Sequence, residues 1–182
     1  MRPDDFASVL SAAQQGAGWA FERMYEDLAP AVAGFFRVQS ASDPDDLTSV
    51  VFVGVFRGIA RYSGDESGFR SWVFTIAHRR LTDDRRRVGR TPRVDSLSEA
   101  GGMAGGSVEA DVFERLATDR VRTLCARLSA DQRDVLVLRL VGGLTIGEVA
   151  ATIGKSVAAT KALQRRGLVA MRVELEREGV PL

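Results

Sequence analysis

The chain has 182 residues, 45% hydrophobic and 27% charged, which suits a packed core in one or two domains and excludes a disordered charged tail. Its single cysteine, Cys125, excludes an intramolecular disulfide. No run of about eighteen apolar residues offers a membrane span, and the start MRPDDFASVL lacks a basic-then-apolar signal, so a cytoplasmic protein is expected. The net charge of +1 conceals a polarity: residues 1–50 hold three arginines against eight carboxylates, whereas residues 70–93 hold eight arginines against two aspartates, so the later segment is the one suited to a polyanion.

In chain order, Asp4 to Gln15 has the apolar spacing of a short helix, with Phe6, Val9 and Leu10, ended by Gly16. From Gly18 a longer helix is expected through Trp19, Phe21, Met24, Tyr25, Leu28, Val32, Phe35 and Phe36, with Pro30 as a point of kinking. Its aromatics read as core. The stretch SDPDDLTSVVFVGVFRGIARY then signals a helix start: Asp43 as N-cap, Pro44 at the first helical position, Asp45 and Asp46 at the positive helix end. Leu47, Val50, Val51, Phe52, Val53, Val55, Phe56 and Ile59 surround most of this helix with apolar side chains. That excess implies either a central buried helix or a face kept for a protein partner.

A polar, glycine-bracketed loop from Arg61 to Gly68 leads into FRSWVFTIAHRRLTDDRRR, where Phe69, Trp72, Val73, Ile76, Ala77 and Leu81 form a core face. Opposite lies a stripe of Ser71, Thr75, His78, Thr82 and Arg85 flanked by Arg79 and Arg86. Such a stripe suits a nucleic-acid backbone, and a solvated helix face fits it equally. Residues 89–107, GRTPRVDSLSEAGGMAGGS, have the composition of a flexible linker. Beyond it, Ser107 is placed to cap a helix through Val112, Phe113, Leu116, Val121, Leu124 and Leu128, and Ser129 with Gln132 forms a capping box for the next helix.

Thr145 and Glu148 make another capping box, so a short helix begins at Ile146, with Ile146, Val149, Ala150 and Ile153 on one face and Gly154 just past its end. After the turn Gly154-Lys155-Ser156, Ser156 caps a second helix running to about Met171. Val157, Thr160, Leu163, Gly167 and Met171 are expected inward, and Ala158, Lys161, Ala162, Arg165 and Arg172 outward. This is a helix-turn-helix, whose second helix enters the major groove. Small Ala158 and Ala162 permit close approach, while Lys161 and Arg165 reach guanine acceptors or phosphates. An ordinary helical hairpin with a basic face is the alternative.

Enzymatic chemistry finds little support. His78 stands alone, without a Cys/His cluster of zinc spacing, and no nucleotide-binding glycine motif is present. The adjacent pairs Asp45-Asp46 and Asp83-Asp84 diverge around a helix and are explained by capping or solvation. No metal or cofactor is expected. The fold expected is all-α: two small helical domains, 1–88 and 108–182, joined by the linker 89–107, the second containing the helix-turn-helix.

Together these segments resemble a bacterial sigma factor of the extracytoplasmic-function class, over roughly Gly18 to Arg87 and Asp119 to Arg177. DPDDLTSVVFVGVFRGI resembles the segment that binds core polymerase, FRSWVFTIAHRRLTDDRRR the promoter −10 segment, and LTIGEVAATIGKSVAATKALQRR the −35 helix-turn-helix. The resemblance implies an initiation factor that binds core RNA polymerase, directs it to promoters, assists −10 opening, and is commonly held by an anti-sigma factor. It places polymerase contacts at Asp45, Asp46, Leu47, Ser49, Val50, Phe52, Val53 and Phe56. It implies −10 contacts at Arg61, Tyr62, Ser63, Ser71, Thr75, His78, Arg79, Arg80, Arg85 and Arg86; Trp72, on the inward face with Phe69 and Ile76, is expected to brace the core behind the loop. It implies −35 contacts at Ser156, Ala158, Ala159, Lys161, Ala162, Arg165 and Arg166. The chain departs from the pattern at Ser49-Val50, where Gln-Glu is usual, at Thr160, where an aliphatic residue is usual, and at Leu163-Gln164, where Arg-Leu is commonest. The rival reading is a two-domain helix-turn-helix regulator that senses a signal or dimerises. An RNA-binding or nuclease accessory protein would use the same arginines but leaves the surplus apolar face of the Asp45 helix unexplained.

Overall fold

The computed structural model describes residues 3–90 and 120–177, and among them every regular element is helical. The first half contains α1 (Pro3–Gln14), α2 (Gly18–Val38), α3 (Pro44–Gly58), a 3-10 turn (Ile59–Arg61) and α4 (Glu66–Arg90). The second contains a helical stretch whose described part is 120–126 (α5), then α6 (Ala130–Leu140), α7 (Ile146–Ile153) and α8 (Val157–Arg177). The expected linker lies almost wholly outside the described residues, as does the Ser107 cap.

Local signals account for the helix ends. Asp43 accepts the Asp46 N–H at 3.0 Å, with Pro44 in the first turn, satisfying a donor that a helix start leaves unpaired. Ser129–Gln132 and Thr145–Glu148 both close as reciprocal capping boxes. Gly16, at φ +86°, follows α1, and Gly154, at φ +67°, ends α7 in the left-handed region that glycine adopts without strain. The second helix runs through Pro30 without interruption. Pro30 and Glu26, whose carbonyl loses its intrahelical donor, are both exposed, so solvent can take that bond.

The core of the first half is aromatic: Phe35, Phe36, Phe52, Phe74, Met24 and Leu81 are all fully enclosed. Phe35 packs edge-on against Phe36 at 5.4 Å and Phe74 at 5.8 Å, a geometry that adds to area burial. Phe74 was absent from the face read off the sequence, and it is enclosed because α2 as well as α3 packs against α4. In the second half, Val135, Leu136, Leu138, Leu144, Val149 and Thr160 are buried. The hydroxyl of buried Thr160 donates to Ser156 O at 2.9 Å, so a polar residue is accommodated where an aliphatic one is usual. Val157, expected inward, is 44% exposed, because as the first residue of α8 it belongs to the exposed turn of Gly154, Lys155 and Ser156.

The two halves pack against each other. The fourth helix meets α7, α2 meets α6, and the buried residues of both halves form a single cluster.

Candidate nucleic-acid and polymerase interfaces

The helix-turn-helix presents its second helix as a reading helix requires. Ser156 accepts the Ala159 N–H at 3.2 Å and so caps α8. Behind the cap, Thr160, Leu163 and Gly167 seat the helix on α6. The seat is close: a Cβ on Gly167 would lie 2.9 Å from Leu136 Cδ1. The opposite face carries Ala158, Ala159, Lys161, Arg165 and Arg166, all exposed, with Ala162 half-buried. None of these three cations is ion-paired among the described residues, whereas Lys155 in the turn is held by Asp131 at 2.9 Å. Small residues beside unpaired cations at a helix N-terminus allow base edges and phosphates to approach together.

The loop between the 3-10 turn and α4 is held from three sides. Tyr62 donates its hydroxyl to Asp65 O at 2.8 Å, Asp65 accepts the Gly68 N–H at 2.8 Å, and Gln14 of α1 donates to Tyr62 O at 2.8 Å and Ile59 O at 3.2 Å. The Tyr62 ring stacks on Trp72 at 5.3 Å and meets Phe69 edge-on at 5.4 Å. Burial, and secondarily the nearby Asp65 charge, push the Tyr62 hydroxyl above its usual range, so it acts as a neutral donor. Trp72 thus sits behind the loop as expected, half-buried. Arg61 and Ser63 are exposed at the loop's outer side. Gln14 escaped sequence reading because nothing in its own stretch marks a residue that must reach 48 positions along the chain.

The polar stripe of α4 divides into two groups. Arg79, Arg80 and Arg86 face solvent, with Arg86 3.7 Å from Asp83. Ser71, Thr75, His78 and Arg85 are only partly exposed, and three of them face the second half of the chain. Thr75 Oγ1 lies 3.1 Å from Thr152 Oγ1, His78 Nε2 lies 3.1 Å from Asp134 Oδ2, and Arg85 Nη1 donates to Asp134 at 3.1 and 3.2 Å. Gln39 completes the group, donating to Asp134 Oδ1 at 2.9 Å and accepting from Arg85 Nη2 at 2.7 Å. Burial opposes the Asp134 charge, yet the His78 hydrogen bond and the Arg85 and His78 charges outweigh it and hold the carboxyl below its usual range. Gln39 and Asp134 were not singled out in the sequence, since neither carries a local motif.

On the other side of the first half, α3 buries Leu47 and Phe52 and leaves Val50 and Phe56 half-buried. Asp45, Asp46, Ser49 and Val53 are exposed, Val53 by 48%. Aromatics of α2 border this surface at Phe21 and Tyr25, while Trp19 lies on the other side of α2, with Asp5 and Val9 of α1. Trp19 is 58% exposed and Tyr25 42%, while Phe21 meets Phe56 at 4.8 Å and Tyr25 meets Phe52 at 4.8 Å. Trp19 and Tyr25 were read as core. The signal that would have separated Trp19 is its helical register with Glu22, Arg23 and Glu26 rather than with Ala20, Met24 and Leu28.

Among the described residues no group of three or more His, Cys, Asp or Glu side chains could hold a metal ion, and no helix is long and apolar enough to cross a membrane. Residues 24–91 match the family Sigma-70 region 2, and residues 125–173 match Sigma-70, region 4. Curated relatives include the ECF RNA polymerase sigma factor SigC of Mycobacterium tuberculosis (strain CDC 1551 / Oshkosh), 31% identical over 171 residues, covering 93% of this chain and 90% of the relative. SigD of the same strain is 26% identical over 187 residues, 98% of this chain and 88% of the relative. BldN of Streptomyces coelicolor is 29% identical over 164 residues, 88% of this chain, which spans 62% of that relative's length. Among solved structures, CnrH in complex with the cytosolic domain of CnrY shares the fold at a TM-score of 0.68 and 22% identity, covering 93% of this chain and 96% of that one.

Proposed function

Because the chain belongs to the extracytoplasmic-function class of sigma-70 factors, initiation factors rather than enzymes that direct RNA polymerase to promoters, we propose how its surfaces divide that work. The N-terminal half of α8 reads the −35 element: Ser156, Ala158, Ala159 and Ala162 lie against the groove, while Lys161, Arg165 and Arg166 take base edges or phosphates. The loop at 62–65, between the 3-10 turn and α4 and shorter than the stretch Arg61 to Gly68 that the sequence suggests, captures the −10 non-template strand together with Arg61 and the outer arginines of α4. Its polar rim over the Tyr62–Trp72 stack offers hydrogen bonds and an aromatic wall to a base that leaves the duplex. The exposed side of α3, with Asp45, Asp46, Ser49 and Val53, and Tyr25 beside it, is the core-polymerase surface; Leu47 and Phe52 shape it from within. These assignments correspond to a division into 1–88 and 108–182 around the segment 89–107.

The observation that carries this reading is the capped α8 whose Lys161, Arg165 and Arg166 have no ion pair among the described residues, borne on the same chain as the acidic-start, aromatic-rimmed α3. The protein acts in the cytoplasm, where polymerase and promoters are. An anti-sigma partner is proposed in addition, because the solved relative of like fold is a complex of CnrH with CnrY. Run-off transcription with purified core polymerase and a promoter library tests the reading. Promoter-specific transcripts are expected with the parent, and their loss with Asp46→Arg while affinity for isolated promoter DNA is retained. Specific transcripts at parental yield from Asp46→Arg would remove α3 from the polymerase surface.

A further inference from the structure

The loop at 62–65 is shaped around one phenol. The Tyr62 hydroxyl donates across it to Asp65 O at 2.8 Å, and a Cβ on Gly64 or Gly68 would lie 2.5 or 2.9 Å from that hydroxyl, so a side chain at either position would displace it. With its ring against Phe69 and Trp72, Tyr62 is committed to the inside of the loop. What the loop turns outward is its backbone and Ser63, which is exposed and makes no hydrogen bond among the described residues. The direction of that backbone is set from α1. The Gln14 amide uses both of its N–H groups here, on Ile59 O at 3.2 Å and on Tyr62 O at 2.8 Å. The Tyr62–Ser63 peptide is trans, and in a planar trans peptide the C=O and the N–H point in opposite directions. Holding the Tyr62 carbonyl towards α1 therefore turns the Ser63 N–H away from α1, to the rim.

We propose that Gln14 is a positioning residue for strand capture: it sets the plane of the Tyr62–Ser63 peptide so that the Ser63 N–H donates to a carbonyl oxygen or ring nitrogen of the −10 base that leaves the duplex. The proposal rests on the strand-capture reading above. A donor aimed in advance forms its bond without ordering the loop at the moment of capture. It also discriminates, because a base that presents a donor at the same place leaves two donors unpaired. The torsions on either side of a peptide let its plane turn at small cost, and a side chain reaching in from a separate helix removes that freedom. Only a donor can do so, since both groups it holds are carbonyl oxygens; leucine fills similar space and donates nothing. In this way α1 shapes base preference without touching DNA.

The test is promoter-library selection with the full-length chain bound to core polymerase, for the parent, Gln14→Leu and Ser63→Pro. Gln14 is exposed at the end of α1 and leucine is a good helix former, so the first replacement should preserve the fold, which circular dichroism checks. The second deletes the N–H itself, and Tyr62, at φ −72° and ψ 133°, already has the extended backbone that a following proline demands. Both variants are expected to lose about tenfold in preference at one and the same −10 position, the scale of a single base contact, with −35 preference and core-polymerase affinity at parental values. Parental −10 preference in Gln14→Leu overturns the proposal, and strand capture by the loop stands if Ser63→Pro still relaxes that position. Relaxation at different positions in the two variants overturns it as well. A loss in Gln14→Leu spread equally over −10 and −35 positions shows that Gln14 only stabilises the fold, and is equally fatal. A parent that prefers no base at any −10 position sinks the strand-capture reading, and the role of Gln14 with it.

Discussion

Single residues set the behaviour of the contact between the halves, at Asp134, and of the first half itself, at Asp84 and Gly58. Asp134 and Asp84 both titrate below the ordinary carboxylate value of 3.8. For Asp84, burial again opposes the charge but the Ser42 hydroxyl and N–H and the Arg87 guanidinium prevail. A carboxyl whose pKa is lower folded than unfolded stabilises the protein above its unfolded pKa, and that stabilisation is lost as pH falls through the folded value. These two groups should therefore contribute a constant amount from neutrality down to about pH 5 and a falling amount below 3.8. Urea unfolding across that range, with Asp84→Asn for comparison, should show a shallower low-pH decline in the variant; identical slopes would contradict the assignment. Gly58 is a second sensitive point, since a Cβ there would lie 2.8 Å from the Trp72 ring. Alanine gains about 1 kcal/mol of helix propensity over glycine, yet a crowded core costs about 1 to 3 kcal/mol, and the indole is fixed by Tyr62 and Phe69. Gly58→Ala should lower the melting temperature and alter Trp72 emission in a Trp19→Phe background; a raised melting temperature with unchanged emission would show that the ring yields.

Elements transmit these local constraints to the candidate DNA surfaces. The seventh helix is only eight residues long, too short to persist alone, so its Thr145–Glu148 box and its packing between α4 and α8 maintain it. Thr145→Ala should cost about 1 kcal/mol of stability and weaken −35 binding through displacement of the α8 N-terminus, measured by calorimetry and by duplex affinity. Unchanged duplex affinity in a destabilised protein would mean that α6 alone positions α8. On α8 itself, Arg165→Ala separates two roles. Loss of a bidentate base contact costs about 1 to 3 kcal/mol and relaxes one promoter position, whereas loss of a phosphate contact weakens all sequences and reduces the salt slope by about one. Promoter-library selection with a salt titration reads both; no change in either excludes Arg165 from the interface. The first helix acts at a distance of another kind, since Gln14 ties it to the Ile59 and Tyr62 carbonyls at the start of the loop before α4.

For the whole molecule, Arg79→Ala with Arg80→Ala should impair promoter opening while leaving core-polymerase binding and helical content intact, because both arginines are exposed and distant in role from α3. Permanganate reactivity of unpaired thymines on closed and pre-melted promoters is the measurement, and parental opening of closed duplex would remove strand capture from these residues. How far such properties were legible in the sequence follows from the range of the forces involved. Capping boxes at Ser129 and Thr145, the Asp43 cap, the left-handed Gly154 and the inward set Thr160, Leu163 and Gly167 all depend on residues within one or two turns. Local spacing therefore determined the helices, the helix-turn-helix and its outward basic face. Spacing could not reveal whether α3 was buried or presented, since apolar residues on most of its circumference satisfy either arrangement; only packing against α2 and α4 enclosed Phe52 and left Val53 exposed. It also could not tell which polar residues of α4 meet solvent. His78 and Arg85 look like Arg79 and Arg86 in a helical register, and what distinguishes them is a carboxylate 49 to 56 residues later on α6. The sequence by itself determined the all-α elements and the chemistry of each face, because those depend on neighbours along the chain. The tertiary structure alone decided which of those faces are covered, because a buried charge is tolerated only where long-range packing brings its partners to it.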